Sequence, residues 1–393
     1  MGLQNEFRKE GHKKLLIIAP SYPDKDNIFF RGKFVKNQID SIKIHFDEVI
    51  IISPVLASLK VLQKDKICKN YRYDNVTVYY PRCFYIPIFY FNRFFIDNRL
   101  MVIENLIKRE NIEFDLIHAH FTWPSAYVGV KLKERFKKPV IVTVHEDAEW
   151  LYKEIGTNNK FLNHAWKNAD ALIRINKKDV PLLRQFNKNI YSIPNGFPSD
   201  YKILSKKECM CQLNLSLGKK ILFSLGGLVA MKGFNHLINS MKMITQKRND
   251  VLCFIGGVGP LRDVLQRQIN CLGLKDYVKL LGFIPDDLLP VWMNACDVFV
   301  LPSLSEGNPT VMFECMGFGR PFIGTTVGGI PEIIISQDYG LLCEPANSKE
   351  LSENISISLD KNWDHEKIRK YAKQFTWDVI AKEILDIYDT LLI

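Results

Sequence analysis

Short runs of wholly apolar residues recur along the chain, and segments with apolar positions at helical spacing separate them. KLLIIA (residues 14–19) is the first, closed by a proline. EVIIISP (48–54), VTVYYP (76–81), FDLIHAH (114–120), KPVIVTVHE (138–146), ADALIRIN (169–176) and NIYSIPNG (189–196) repeat the style. A strand without polar alternation is buried on both faces, which marks a parallel sheet covered by helices on both sides. Helical spacing over 99–110 and 125–136 supplies two of those helices. After Asn195-Gly196 the chain is polar and irregular to Gly218, and then the pattern restarts. KKILFSLGG (219–227), VLCFIGG (251–257), YVKLLGF (277–283), DVFVLPS (297–303), RPFIGTT (320–326) and GLLCEPA (340–346) are six further strands in this reading. With 393 residues the chain exceeds one ordinary core. The fold class expected is therefore α/β, with two doubly wound Rossmann-like domains facing a cleft. Their expected limits are 1–199 and 200–376, with a final helix (377–393) packing back on the first domain. No repeat or low-complexity segment interrupts this plan.

In such sheets ligands sit beyond the carboxyl ends of the strands. The richest stretch in that place is PSLSEGNPTVMFECMGFGRPFIGTTVGGIPEII, with Glu306 and Glu314 eight positions apart. A strand over 297–301, a Gly/Pro/Asn loop and a helix opening near Pro309 are expected. Glu306 then lies at the mouth of the helix and Glu314 inside it. The first-turn amides of Thr310 to Phe313 are expected to point outward without intrahelical partners, a ready site for phosphate. A carboxylate accepting two hydrogen bonds suits a sugar or ribose diol. The pattern suggests a nucleotide-sugar clamp.

Composition narrows the context. No uninterrupted apolar run reaches a membrane span, and the polar MGLQNEFRKEGHKK is not expected to act as a signal peptide. Nine cysteines without a framework point to a reducing compartment and hence the cytoplasm, most thiols being core residues. The net charge of +10 fits an acidic polymer, nucleic acid or anionic membrane as partner. Nucleic acid is set aside, because no zinc spacing, RNA-binding aromatic signature or basic tail is present. In YRYDNVTVYYPRCFYIPIFYFNRFF (71–95) aromatics interleave with Arg72, Arg82 and Arg93. Two readings fit: a strand with a core-packed loop, or a surface resting on the lipid interface.

LGGLVAMKGFNHLI, FIGGVGPLRDVL, VKLLGFIPDDLLPVW and the Glu306/Glu314 segment, in this order, resemble the carboxyl half of retaining GT-B glycosyltransferases of the large group one family, glycosyltransferase family 4. PSYPDKDNIFFRGKFVKNQ, DLIHAHFTWPSA, VIVTVHEDAEWL, ADALIRINKKD and YSIPNGF resemble the amino half. Capsule, teichuronic acid and lipopolysaccharide transferases are the most similar in style. The resemblance implies that Glu306 faces the donor sugar and Glu314 the ribose hydroxyls. Asn308, Pro309, Thr310 and Val311 border the diphosphate, and Lys232 places its ammonium on the phosphates. Gly257 and Gly259 make the turn beside the nucleotide; Gly282, Phe283 and Ile284 line the base. From the amino half, His145 is implied to contact the donor sugar, and Gly32 to let backbone approach substrate. His118 and His120 share one face of a strand and are read as packing or acceptor-side residues rather than a metal pair. No metal and no cofactor are implied, the nucleotide sugar being a substrate.

Two positions depart from the family pattern. Gly227 stands where a basic residue is usual, and Val258 where an acidic one is frequent. Arg31, Arg262 and Arg174 are the candidates to replace the missing cation. The activity implied is retaining transfer of a hexose or N-acetylhexosamine from a UDP or GDP sugar to a lipid-linked saccharide acceptor, peripheral on the inner face of the membrane. Two alternatives remain: an epimerase or glycogen-type synthase on the same scaffold, and a nucleotide-sugar-binding subunit of weak activity. A Rossmann dehydrogenase is not expected, since GGVGPL is not G-x-G-x-x-G.

Overall fold

The computed structural model describes residues 13–26, 31–57, 68–84 and 93–392. The chain forms two compact units, one running to Pro194 and resuming at Trp377, the other Asn195–Thr376. The break thus comes five residues before the expected 199/200. Residues 195–199 join the second unit because Asn195 Nδ2 donates to Asn308 O (2.7 Å) and Phe197 N to Phe375 O (3.1 Å).

Among its described residues the first unit holds ten strands: β1 (Lys14–Ile18), β2 (Glu48–Ile52), β3 (Val55–Ala57), β4 (Tyr71–Tyr73), β5 (Val76–Tyr79), β6 (Arg82–Phe84), β7 (Leu116–His120), β8 (Val140–Val144), β9 (Ala171–Arg174) and β10 (Ile190–Ser192). Eight form one sheet in the order β10-β9-β8-β7-β1-β2-β5-β4. It is parallel throughout, except that β4 runs antiparallel to β5. The apolar runs are buried on both faces as the pattern requires. Leu16 and Ile18 face a core with Ile103, Leu106, Val128 and Leu132. Leu15 and Ile17 face the other, which the helix Lys33–Ile42 and the closing helix Trp377–Leu391 cover with Val35, Ile39, Ile380, Ile384 and Tyr388. Each such aliphatic side chain contributes about 1.5–3 kcal/mol by leaving water.

The second unit is a six-stranded parallel sheet of β11 (Lys220–Leu225), β12 (Val251–Gly256), β13 (Val278–Gly282), β14 (Val298–Leu301), β15 (Phe322–Thr325) and β16 (Gly340–Cys343). Its order is β13-β12-β11-β14-β15-β16. The chain winds outward from β11 to β13 and then returns to lay β14 on the other side of β11. That reversal leaves the loops after β11 and β14 side by side.

Every strand foreseen in the sequence forms. The additions are β4 and the small parallel pair β3–β6. The helix expected over 99–110 is Arg93–Arg109, and the one over 125–136 is Tyr127–Phe136. The stretch read as irregular before Gly218 contains the helix Lys206–Gln212, whose N-cap Ser205 accepts from the Glu208 amide. Seven of the nine cysteines are buried. Among the described residues no helix is long and apolar enough to cross a membrane.

In the described part of the aromatic–basic segment three tyrosines pack inward, while Phe84 is exposed. Tyr71 and Tyr80 both donate to Pro23 O (2.8 and 2.6 Å), and Tyr73 pairs with Tyr22 (2.7 Å). Those rings belong to the core, not to a lipid-facing surface. Residues 85–92 of the segment lie outside the described residues.

His118 is fully buried between β7 and the closing helix, its Nδ1 paired with the Tyr388 hydroxyl (2.5 Å) and its Nε2 with Thr143 Oγ1 (2.7 Å). Tyr388→Phe keeps the ring and strips one partner from a buried imidazole. The expected cost is about 1–3 kcal/mol, seen as a lower urea midpoint with the slope unchanged. An unaltered midpoint would refute this account of the helix's anchorage.

Candidate active site

The site in the second unit is built where the strand order reverses. After β11 the chain passes Gly226 and Gly227 and makes a short turn ending at Gly233, which takes φ +63°. A Cβ on Gly233 would lie 2.1 Å from Pro302 O, so only glycine lets this turn press against the loop after β14. Leu304 N then donates to Met231 O (2.7 Å). This zipper brings Lys232 Nζ to 2.5 Å from Glu306 Oε1. Ser303 Oγ donates to the same oxygen (2.6 Å), and Thr325 Oγ1 holds Ser303 O (2.6 Å). The turn after β15 closes on the same backbone: Gly329 N donates to Gly307 O (2.8 Å).

The Glu306 side chain is 7% exposed and that of Lys232 is 21% exposed. A buried carboxylate is costly unless paired and hydrogen-bonded, and here it is both. The ammonium keeps its edge toward solvent, where an incoming anion can reach it. Just beyond, Pro309 is extended and the helix Thr310–Gly317 begins; no side chain caps it and its first turn holds no acidic residue. Its positive end is therefore uncompensated within that turn. One expected member of the amide set is withdrawn, because Met312 N donates to Pro309 O (3.1 Å).

Glu314 lies one turn into this helix; burial and then its charge hold the Tyr201 phenol well above the usual tyrosine range. Gly257 (φ +136°) sits under the turn after β11; a Cβ there would meet Gly226 O at 1.8 Å. Gly259 packs on Leu228 O in the same manner, at 2.5 Å for its Cβ. These two glycines are thus explained by backbone packing between the loops after β11 and β12. Gly282 takes φ +79° at the end of β13, Phe283 is exposed, and Ile284 packs toward the core. Gly227 differs from its neighbours: it is exposed, and the nearest atom to a Cβ there is 3.9 Å away.

In the first unit the loop ends of β7 and β8 hold a buried polar cluster. His145 Nε2 pairs with His120 Nδ1 (2.9 Å), and Phe34 and Phe121 pack on the His145 ring. The His118 and His120 rings stack at 4.3 Å. Burial holds all three imidazoles below their usual range, His120 to about 3, so they are neutral at ordinary pH. Arg174 is fully buried and grips the chain on both sides of His145, donating to Val144 O (2.8 Å) and Glu146 O (2.6 Å) and pairing with Asp179 (2.5 Å). Its charge is committed, which removes it from the arginines that could replace the cation missing at Gly227. Glu146 accepts from Thr122 N (2.6 Å), and burial raises its carboxyl; burial and then Glu146 push Glu154 up to about 9. Gly32 (φ +83°) opens the helix Lys33–Ile42, and its Cβ would meet Ser21 O at 2.3 Å. Of the remaining arginines, Arg262 lies in the second unit with Nη1 3.4 Å from the Cβ position of Gly282, whereas Arg31 belongs to the first.

The structure therefore gathers Lys232, Glu306, Asn308, Pro309, Thr310 and Val311 in one place. Sequence reasoning missed Ser303, Asn195 and Tyr201. Ser303 at a strand end carried a faint signal; Tyr201, in an irregular linker, carried none.

Two family models match consecutive parts of the chain: Glycosyltransferase Family 4 over residues 47–201 and Glycosyl transferases group 1 over 205–375. The uncharacterized glycosyltransferase MJ1178 of Methanocaldococcus jannaschii is 29% identical over 75% of this chain and 80% of its own length. The putative teichuronic acid biosynthesis glycosyltransferase TuaC of Bacillus subtilis is 27% identical over 67% of this chain and 65% of its own. Among solved structures, Anabaena HepE in complex with UDP-glucose superposes with a TM-score of 0.74 at 22% identity, covering 97% of this chain and 100% of that one.

The burial of the Lys232–Glu306 pair fixes an order of effects on stability. Lys232→Met strands a buried carboxylate on Ser303 alone and should cost about 2–4 kcal/mol. Glu306→Gln keeps the Ser303 bond and leaves an ammonium that can reach water, so it should cost clearly less. Urea unfolding of both variants checks this, and the reverse order would contradict the burial argument.

Proposed function

Because the chain belongs to glycosyltransferase family 4, among the group 1 glycosyl transferases, we propose that it moves a hexose or N-acetylhexosamine, with retention, from a UDP or GDP sugar to a lipid-linked saccharide. The observation that carries the reading is the Lys232–Glu306 pair set before an uncapped helix end at the strand-order reversal. In this reading the donor's diphosphate competes for Lys232 and draws it from Glu306, while the amides of Thr310 and Val311 add their dipoles. Glu306, still held by Ser303, turns its released acceptor capacity to the sugar hydroxyls. As the bond from the anomeric carbon to the phosphate oxygen breaks, its electron pair stays on that oxygen. The acceptor hydroxyl forms the new bond from the same face, and its proton passes to the departing phosphate oxygen. No protein base is needed. His145 contributes a neutral imidazole as hydrogen-bond partner for the donor sugar, and no metal or cofactor is assigned a step.

UDP is the first donor nucleotide to try, in view of the complexes of HepE with UDP and UDP-glucose. A surface-glycan acceptor is supported by the similarity to TuaC. The test is transfer from UDP and GDP sugars to a lipid-linked saccharide extract, with the anomeric configuration of the product read by NMR. Lys232→Ala should lower kcat/KM by about 100-fold or more, the scale of one lost transition-state contact. Gly227→Arg, which enters open space, should raise it several-fold. Binding of donor without turnover would favour the nucleotide-sugar-binding subunit instead, and an inverted product would overturn the retaining mechanism.

Action at the cytoplasmic face of an anionic membrane is part of the same proposal, supported by the net charge of +10 and the unassigned aromatics of 85–92. Flotation with anionic vesicles should be lost in salt and on replacing Phe89, Tyr90 and Phe91 by serine. Flotation indifferent to both changes would refute the membrane contact.

A further inference from the structure

The connection that enters the second unit is strapped along the helix Thr310–Gly317. Asn195, its first residue, is buried, and its Nδ2 donates to Asn308 O (2.7 Å) just ahead of that helix. Phe197 lies at the other end, over Gly317, where a Cβ would come within 2.3 Å of its Cε2. The Tyr201 ring stacks on Phe318, which follows the helix, with centroids 4.3 Å apart and planes inclined by 19°. The returning connection joins in. Phe197 N donates to Phe375 O (3.1 Å), and the Phe375 ring packs on Phe313 of the helix, centroids 5.1 Å apart. Aromatic packing thus accounts for the hold on the body and far end of the helix. At the near end the link is a side-chain amide, and it grips a carbonyl two residues before Thr310.

We propose that Asn195 is a positioning residue for the donor's diphosphate: by holding Asn308 O it sets the direction in which the Thr310 and Val311 amides point. The proposal rests on the reading of that helix end as the phosphate site. Pro309 is extended, and its ring already fixes one of its two backbone torsions. The bond from Asn195 restrains the peptide before it, so the entry to the helix is held on both sides. A loop that must be ordered when its ligand arrives costs affinity, and a bond made in advance removes that cost. The same bond commits the negative end of the Asn308 carbonyl to a donor instead of presenting it to an arriving anion. If Asn195 served only to fill space, a side chain of the same shape without a donor would do as well.

The experiment is titration calorimetry of UDP, GDP, UMP and GMP against the full chain and Asn195→Asp. Aspartate keeps the shape; ionised it has no proton to give, and protonated it has one. The unaltered protein should bind the diphosphate of its nucleotide about tenfold or more tighter than the monophosphate, the value of hydrogen bonds to one more charged group. At about pH 8, with its carboxyl ionised, Asn195→Asp should weaken the diphosphate about tenfold and the monophosphate less than about twofold. Its deficit against the unaltered protein should shrink toward about pH 5.5, because burial raises the carboxyl's pKa and the proton returns. Should Asn195→Asp fail to unfold cooperatively in urea, Asn195→Leu takes its place, with the same loss expected at both pH values. Equal weakening of mono- and diphosphate, no weakening of either, or an Asn195→Asp deficit indifferent to pH would reduce Asn195 to packing while the phosphate reading stands. No preference for a diphosphate in the unaltered protein, or no binding of any of these nucleotides, would sink the phosphate reading and this inference with it.

Discussion

The central strands of both sheets are largely apolar and buried on both faces, and the placement of the site depends on this constraint. Such a strand has no solvated side on which to carry polar chemistry, so the groups that can meet a ligand gather at its ends. In the second unit the order β13-β12-β11-β14-β15-β16 brings two of those ends together, where the winding changes direction. The loops after β11 and β14 are then neighbours whatever their composition. What the composition adds is closeness. Gly233 and Gly257 allow backbone to lie on backbone at distances that any β-carbon would forbid.

On that base the charges follow a short logic. A carboxylate buried at the end of β14 needs a cation, and the zipped turn supplies Lys232. The hydroxyl of Ser303, itself held through its carbonyl by Thr325, fixes which carboxylate oxygen is used. The result is neutral and firm in the free protein, yet its ammonium borders solvent. The polar cluster of the first unit follows the opposite logic. His118, His120 and His145 are kept neutral by burial, and Arg174 is consumed in holding backbone.

Much of this was legible from residue order. The apolar runs located every long strand, and the spacing of Glu306 and Glu314 pointed to the helix end before any coordinate was known. The features that were not legible depend on partners far away in sequence. Nothing in LGGL shows that Gly227 is roomy while Gly233 and Gly257 are crowded; that difference lies in Pro302 O and Gly226 O. Arg174 looked like a spare cation because two of its acceptors, Val144 O and Glu146 O, come from the far end of β8. Tyr71, Tyr73 and Tyr80 fitted a lipid-resting surface along the chain, but their hydroxyls turn back to Tyr22 and Pro23. The boundary near residue 200 shifted for the same reason, through the bond from Asn195 to Asn308.

The closing helix has a bearing on how the chain is made. Trp377–Leu391 completes the cover over Leu15, Ile17, Val35 and Ile39, which are synthesised before the second unit. All of Asn195–Thr376 leaves the ribosome in between. Translating those 182 residues takes roughly 10–40 s at ~5–20 residues per second. For that interval one face of the first sheet is bare of its final helix, and the second unit has its whole sequence before that helix is made. The first unit's sequence is thus completed only after that of the second. The first unit waits longest for its last element, and that wait is when it is most exposed to aggregation and most in need of a chaperone.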